Sequence, residues 1–357
     1  MSEMKILKKR LQKTGLPPGI LMKTEEQAHE ITISVIDYDK DSFREKTINK
    51  IEECFVYKDK PTITWINVDG TQQMNMLEKI GECFNIHPLV LEDIMTNGQR
   101  PKIEYYDNYL FIILRLVYLS QPSKEMIVEQ LSLIVGNNYV ISFQEKPGDP
   151  FEKIRERIRN GLGKIRKMGS DYLAYSLMDI VVDNYFIILE KIGEDLESIE
   201  EETLEDPTTD TLQKIHEIKR ELIYFRKFLW PLREVVGSFN RSESEIVQST
   251  TQVYIRDLYD HVIQIIDSIE TFRDIIASIL EIYLSSISNK MTVVMKRLTL
   301  ITTIFMPLSI LAGIGGMSEW SMMTGQQNWV ISYPLFFLGL LILGFITYFI
   351  FKRKGWT

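Results

Sequence analysis

Hydrophobic residues are distributed unevenly along this 357-residue chain. Residues 1–297 mix apolar and charged positions, whereas two later runs, Leu298–Gly316 and Val330–Phe351, contain no charged side chain. Each run has about the 20 residues that a helix needs to cross a bilayer. The pattern therefore predicts two transmembrane helices near the C-terminus.

The first uncharged run is the more polar of the two. Its hydroxyl-bearing residues are Thr299, Thr302, Thr303 and Ser309. A helix that faces only lipid gains nothing from hydroxyl groups, whereas a helix that lines a water-filled path does. Two helices from one chain cannot enclose such a path, so transport by this protein would require an oligomer.

A helical period leads into the first run without a break. From Ser238 to Met306 the chain has neither glycine nor proline, and apolar residues recur every three or four positions. The pattern predicts one helix from Val253 to Ile314, about 90 Å long at 1.5 Å per residue. Two helices joined by a polar loop are the alternative interpretation of the same stretch.

The first part of the chain is typical of an α/β domain, because short runs rich in β-branched and aromatic residues alternate with helical patterns. The predicted strands are Ile31–Asp37, Thr62–Val68, Lys102–Tyr106, Leu110–Leu119, Ile127–Val135 and Tyr139–Gln144. Helices are predicted at Gln73–Phe84, Pro88–Met95, Phe151–Lys167 and Asp171–Leu204, and from Thr209 or Asp210 to about Val236. Pro231 should kink or end the last of these.

These elements and the membrane segments predict how the chain is organised. The predicted segments are a cytoplasmic α/β domain in 1–150, a cytoplasmic helical region in 151–250, a long stalk helix continuing into the first span in 251–316, an outer loop in 317–329, the second span in 330–351 and a basic cytoplasmic tail in 352–357.

Basic residues set the predicted orientation in the membrane. Lysines and arginines flank the two spans at 290–297 and 352–354, while the connecting loop has neither. Both termini are therefore expected in the cytoplasm. The protein is expected to be a multi-pass protein of the plasma membrane, which is the inner membrane in cells that have two. The start of the chain has no apolar core long enough for a cleavable signal peptide.

The remaining composition excludes several classes of function. There is no phosphate-binding loop, dinucleotide fingerprint or nucleophile motif, so no enzymatic activity is predicted. Cys54 and Cys83 form no CxxC pair, and no basic and aromatic cluster points to nucleic acid. The net charge of −8 comes from an acidic stretch between Asn184 and Asp206, which is either a solvated helix face or a surface that concentrates cations.

Several long blocks of the sequence resemble the CorA family of magnesium channels. They are HPLVLEDIMTNGQRPKIEYYDNYLFIILR, YDHVIQIIDSIETFRDI, YLSSISNKMTVVMKRLTLITTIFMPLSILAGIGGMS and the C-terminal KRKGWT. The likeness runs in order through nearly the whole chain and is weakest before residue 30. The resemblance implies a funnel-shaped homopentamer in which an α/β domain and a long helical stalk precede the membrane, with the first spans lining a pore inside a ring of second spans.

The resemblance also implies which residues line the pore. They are Thr292, Met295, Leu298, Thr302, Met306, Ser309 and Gly313. Their spacing of three or four places them on one helix face. Met295, Leu298 and Met306 would form apolar rings that gate by excluding water, although plain helix packing is the alternative for the two methionines. Because the pore has no charged ring, Mg²⁺ would pass with its hydration shell partly or fully retained.

The outer mouth departs from the family signature. The family has Gly-Met-Asn there, whereas this chain has Gly316-Met317-Ser318, followed by Glu319. An asparagine amide both donates and accepts hydrogen bonds, while Ser318 offers a short hydroxyl. The change bears on ion selectivity rather than on the fold. Glu319 is expected either to enrich cations at the mouth or to cap the loop.

The resemblance further implies regulatory Mg²⁺ sites between subunits. Asp93 and Asp257 of adjacent subunits would share one ion, and Glu92 and Asp179 would belong to a second site. Carboxylates brought together without a cation repel one another, so a bound ion would clamp the closed pentamer. Taken alone, each of these residues is more typical of a solvated acid. Asp257 and His261, one helical turn apart, also suit a transition metal.

Three functions remain open from the sequence. The first is a passive divalent-cation channel, mainly for Mg²⁺ and also for Co²⁺, gated by cytoplasmic Mg²⁺. The second is a Zn²⁺ or Co²⁺ transporter of the same architecture, driven by protons. The third is a membrane-anchored scaffold whose long helix forms a coiled coil, but the polar stripe in the first span argues against it. The expected partners are further copies of the chain, the lipid bilayer and divalent cations, without nucleic acid.

Overall fold

The computed structural model describes residues 32–48, 50–71, 73–119, 126–146, 148–315, 325 and 328–354. The chain divides into two compact units. The first comprises Met1–Ser198 and His216–Ile276, and the second comprises Ile199–Ile215 and Ala277–Thr357.

A seven-stranded mixed sheet forms the centre of the first unit. Its strands are β1 (Thr32–Tyr38), β2 (Phe43–Ile48), β3 (Ile63–Asp69), β4 (Lys102–Tyr105), β5 (Leu110–Leu119), β6 (Met126–Val135) and β7 (Tyr139–Gln144). They are arranged in the order β2-β1-β3-β7-β6-β5-β4, and β3 pairs with β7 in parallel while the other neighbours are antiparallel. The six predicted strands are confirmed to within one residue at each end.

Strand β2 was missed by the sequence pattern. Its sequence, FREKTI, has five exposed residues followed by one buried isoleucine. An edge strand that buries so little shows no apolar alternation, so only its pairing with β1 reveals it.

Two short helices, α1 (Met74–Phe84) and α2 (Pro88–Met95), pack their apolar residues into one large core with the sheet. Helix α2 starts at a side-chain cap, since Nδ1 of His87 accepts from the backbone N–H of Leu89 at 3.2 Å. The backbone N–H of His87 in turn donates to the hydroxyl of Tyr109 at 3.0 Å. These contacts hold the helix that carries Glu92 and Asp93, both of which stay half-buried.

The prediction of one helix over Phe151–Lys167 is wrong. Helix α3 covers only Glu152–Arg159, and Gly161 and Gly163 follow with φ of 61° and 68°. These left-handed conformations suit glycine and end the helix before a short 3₁₀ turn. Arg166 secures this end, because its guanidinium donates to the carbonyls of Ile158 and Arg159 at 2.5 and 2.7 Å.

Two long helices follow, α4 (Ser170–Glu205) and α5 (Thr209–Asn240). The first confirms the predicted Asp171–Leu204 closely. The expectation that α5 ends near Val236 is wrong, because the helix runs through Pro231 to Asn240. Pro231 therefore does not end the helix, and a kink at this residue stays a prediction. A proline removes a single backbone donor, and buried neighbours such as Leu229, Leu232 and Val235 hold the helix together.

The single long helix predicted from the glycine- and proline-free stretch is confirmed. Helix α6 extends from Ser249 to Gly315 over 67 residues, and α7 covers Trp329–Arg353. At 1.5 Å per residue, α6 is about 100 Å long.

Within the part of the chain that the structure describes, three helices are long and apolar enough to cross a membrane. In α4 the most apolar window is 72% buried within the protein, whereas the windows of α6 and α7 are not buried at all. Helix α4 is therefore a core helix, and α6 and α7 carry the two spans. The spans pack closely, since a Cβ added at Gly344 would lie 3.3 Å from Cδ1 of Leu308.

Candidate functional site

Asp93 lies on the last turn of α2 with about a quarter of its side chain exposed. Both of its carboxylate oxygens are engaged within the chain. Oδ1 accepts from Nε2 of Gln99 at 2.8 Å, and Oδ2 lies 2.6 Å from Nζ of Lys102. The carboxylate is thus held in one orientation at the edge of the first unit.

Lys102 is the first residue of β4 and lies between two acids. Its Nζ is 2.6 Å from Asp93 and 2.6 Å from Oε1 of Glu104. Burial lowers the pKa of Lys102, but hydrogen bonds to the two carboxylates outweigh this effect, so its pKa lies above the ordinary value. The ammonium therefore stays charged.

A hydrogen-bonded chain connects Asp93 to the interior of the sheet. The side chain of Gln130 donates from Nε2 to the carbonyl of Asp93 at 2.9 Å and accepts from the backbone N–H of Gln99 at 3.0 Å. The backbone N–H of Gln130 donates to Oε1 of Glu145 at 2.8 Å. The backbone N–H of Glu145 then donates to Oε2 of Glu129 at 3.1 Å.

Glu129 is the buried end of this chain, with 1% of its surface exposed. Burial raises its pKa to about 7, and the charge of Glu145 acts in the same direction, against hydrogen bonds from Tyr118 and from the backbone N–H groups of Glu145 and Lys146. Glu129 therefore takes up a proton near neutral pH.

Asp179 and Asp257 lie close enough in one chain to influence each other. Burial, the neighbouring Asp183 and, to a lesser degree, Asp257 raise the pKa of Asp179 to about 6, while the charges of His261 and Arg157 lower it. The side chain of Asp257 is 69% exposed, and its Oδ2 lies 4.0 Å from Nε2 of His261. Asp179 is thus a carboxylate that burial, more than any single neighbour, makes costly to ionise.

The chemistry of these acids fits a hard divalent cation, since carboxylate oxygens are the ligands that Mg²⁺ favours. Among the residues that the structure describes, no group of three or more acids, histidines or cysteines is arranged to hold a metal. A complete site would therefore draw ligands from a second copy of the chain, or water. Asp257 and His261 form a pair with 4.0 Å between Oδ2 and Nε2, and the described residues add no third ligand to it. A transition metal at this pair therefore stays an untested alternative.

The seven predicted pore residues all lie on α6, and each is exposed in the single chain. Met295, Leu298 and Met306 are 53%, 54% and 67% exposed. By contrast, Leu300, Ile304 and Leu308 are half-buried, and Leu308 is the residue against Gly344 of α7. The predicted pore face is therefore distinct from the face that packs on the second span.

The hydroxyl groups of this face donate to the helix backbone. Thr292 donates to the carbonyl of Ser288 at 2.9 Å, and Thr302 lies within 3.0 Å of the carbonyls of Leu298 and Thr299. A hydroxyl that gives its proton to the backbone keeps its oxygen as an acceptor. This chemistry suits a hydrated cation, whose water molecules point their hydrogens outward.

The predicted mouth, Gly316, Met317, Ser318 and Glu319, lies outside the residues that the structure describes. The acidic residues of the stretch between Asn184 and Asp206 are exposed, apart from the half-buried Glu202, in agreement with a solvated face. At its end, Asp206 pairs with Lys290 of α6, whose Nζ also donates to the carbonyl of Pro207 at 3.2 Å.

Sequence reasoning missed the residues that hold Asp93, namely Gln99, Lys102 and Gln130. Lys102 begins a predicted strand and carries no motif of its own. Lys102 and Glu104 stand two residues apart in a predicted strand, and such residues share a face. This spacing was the signal in the sequence that could have pointed to Lys102.

The fold and these sites define a membrane protein with a mixed α/β unit, one long helix that continues into the first of two spans, and carboxylates suited to divalent cations. The family model described as "CorA-like Mg2+ transporter protein" matches residues 60–353. The chain belongs to this family.

Individual relatives agree with this assignment. The cobalt/magnesium transport protein CorA of Thermotoga maritima is 46% identical over 349 residues, covering 98% of this chain and 99% of the relative. The solved structure of the CorA magnesium transporter from Methanocaldococcus jannaschii superposes with a TM-score of 0.73 at 22% identity, covering 91% of this chain and 98% of that one.

Replacing Glu129 with glutamine should change how stability depends on pH. A carboxyl with a raised pKa contributes stability that is fully present below its unfolded pKa and is lost as pH rises through about 7. Glutamine does not ionise and keeps an acceptor for the backbone N–H groups. We expect Glu129→Gln to be more stable than the wild type at pH 8, by about 1–3 kcal/mol, and little different at pH 5.

Thermal unfolding of the full-length protein in detergent at both pH values measures this effect. Glu156→Gln, at an exposed position of α3, serves as the control and should change neither value. If the stability of the wild type and of Glu129→Gln depends on pH in the same way, Glu129 does not have the raised pKa that we assign to it.

Proposed function

We propose that this protein is a passive channel for divalent cations, mainly Mg²⁺ and also Co²⁺, gated by Mg²⁺ in the cytoplasm. One observation carries the proposal: the seven residues expected to line a pore share an exposed face of α6, and none of them is charged. The names of the family and of the Thermotoga relative support the choice of ions.

The path is proposed to pass the ion with water attached. Mg²⁺ loses its hydration shell reluctantly, so an acceptor-rich lining fits it better than a ring of carboxylates. The oxygens of Thr292, Thr302 and Ser309 would accept hydrogen bonds from the ion's water molecules. Gly313 would leave room near the outer end, and the mouth at 316–319 would make the first selection.

The assembly is proposed to be a pentamer with both termini in the cytoplasm. Five copies of Met295, Leu298 and Met306 would form apolar rings that exclude water in the closed state. The exposure of these three side chains, on a face of α6 away from the second span, leaves them available for contacts with other copies of the chain.

The gate is proposed to respond to ions held by carboxylates of adjacent subunits, with Asp93 and Asp257 at one site and Glu92 and Asp179 at another. The raised pKa of Asp179 supports this view, since burial and the neighbouring Asp183 make its ionised form costly without an added cation. A bound Mg²⁺ would offset the charge and clamp the closed form, and its loss would release the subunits.

Flux into proteoliposomes tests the transport function directly. Uptake of Mg²⁺, Co²⁺, Zn²⁺ and Ni²⁺ is compared side by side, with and without a pH gradient. We expect Mg²⁺ and Co²⁺ to enter down their gradients regardless of pH. Zinc uptake that requires a proton gradient would favour the proton-driven transporter instead, and absence of any flux would favour the scaffold.

Replacing Met306 with alanine should increase leak through the closed channel. Alanine shortens the side chain and widens the apolar ring, so water and ions enter more easily. Conductance in lipid bilayers at high Mg²⁺ measures the leak. Ile304→Ala, on the half-buried face, is the matched control. If Met306→Ala leaves the leak unchanged while Ile304→Ala abolishes transport, the proposal has turned the wrong face of α6 toward the pore axis.

Removing the regulatory carboxylates should uncouple Mg²⁺ from the conformation of the protein. We expect Mg²⁺ to protect the wild-type chain from limited proteolysis, and the double variant Asp93→Ala, Asp257→Ala to lose that protection and to show a higher basal flux. Glu200→Ala, at an exposed position on α4, should behave like the wild type. Full protection of the double variant would place the regulatory ion elsewhere.

A further inference from the structure

The carboxylate of Asp93 already has a cation within its own chain. Its Oδ2 lies 2.6 Å from the ammonium of Lys102, and its Oδ1 accepts from Gln99 at 2.8 Å. Both oxygens that would face a regulatory ion are thus engaged by donors of the same chain. An ion that binds Asp93 directly must displace at least one of these two donors.

Lys102 is the donor that is easier to displace, because its ammonium is partly solvated and has a second carboxylate, Glu104, within reach. About 30% of its side chain is exposed, and ion pairs at this depth contribute little net free energy. Gln99, in contrast, is fixed through its backbone N–H, which donates to Gln130 at 3.0 Å. Displacement of the ammonium leaves the orientation of Asp93 intact.

The surroundings keep the ammonium beside Asp93. Glu104 holds it from the other side at 2.6 Å, and Oε2 of Glu104 accepts from the hydroxyl of Tyr106 at 3.0 Å. The ring of Phe111 lies under the ammonium, 5.3 Å from ring centre to Nζ. Lys102 can therefore move toward Glu104 when an ion arrives and return when the ion leaves.

We propose that Lys102 is a tethered competitor for the regulatory divalent cation at Asp93. The proposal rests on the regulatory role of Asp93 given above and adds a residue that sets the ion concentration at which the clamp forms. The two carboxylates and one ammonium of this cluster sum to a single net negative charge per subunit. Removing the ammonium doubles that charge, which should favour a divalent ion.

The test measures the Mg²⁺ concentration that half-protects the full-length protein from limited proteolysis, with Mg²⁺ binding followed by calorimetry as a second readout. Lys102→Met keeps the length of the side chain and its packing on Phe111 but removes the charge. We expect it to lower the half-protection concentration roughly two- to five-fold, in line with the strength of a partly exposed ion pair. Lys102→Arg keeps a cation and should stay near the wild-type value.

Two further variants separate competition from other effects. Arg100→Gln removes the same unit charge from an exposed position two residues away, and its shift should be clearly smaller. In an Asp93→Asn background, Lys102→Met should give no additional shift, since the ammonium then has no carboxylate to occupy there.

The possible results are distinguishable. If Asp93→Asn weakens protection but Lys102→Met matches the wild type, the competitor role is wrong while the regulatory site stands. If Arg100→Gln and Lys102→Met shift the half-protection concentration equally, the effect comes from overall charge and not from competition at Asp93. That result would overturn the proposal. If Asp93→Asn keeps the wild-type Mg²⁺ dependence, the regulatory site fails, and the role of Lys102 fails with it.

Discussion

The continuous helix from Ser249 to Gly315 is the constraint on which the rest of the structure depends. Because an α-helix satisfies its backbone hydrogen bonds internally, the same element is stable both in water and in a bilayer. Its side chains alone decide which part faces which solvent. Pro307 is the exception, since it has no N–H to donate to the carbonyl of Thr303, yet the helix continues past it.

The carboxylates of Asp149, Asp93 and Asp179 differ in how far the chain itself offsets their charge. Asp149 is almost fully buried and is held by two hydrogen bonds from Arg155 at 2.6 and 2.8 Å, so its charge is met within the chain. The charge of Asp93 is offset by an ion pair with Lys102, which is more exposed than the Asp149–Arg155 pair and therefore weaker. The pKa of Asp179 is raised to about 6, mainly by burial and further by the neighbouring Asp183, while the charges of His261 and Arg157 lower it.

The proposed path and the proposed regulatory sites use different chemistry for one ion, and the difference follows from residence time. An ion that must pass should meet neutral acceptors such as Thr302, which bind its water without holding it. An ion that must stay and report its concentration needs carboxylates. A competing ammonium such as that of Lys102 then sets the concentration at which those carboxylates respond.

The sequence by itself determined the two spans, the long helix and six of the seven strands that the structure describes, because each follows from local periodicity or hydropathy. The pore-lining residues stay a prediction that the family resemblance implies. The sequence did not predict edge strand β2, because that strand depends on its pairing with β1. It also did not predict that α3 ends at Arg159. The continuation of α5 through Pro231 was missed as well, because it depends on packing. Only the tertiary structure placed Lys102 and Gln130 against Asp93. Those contacts join residues 9 and 37 positions apart, and no local pattern encodes which strand end meets which helix end.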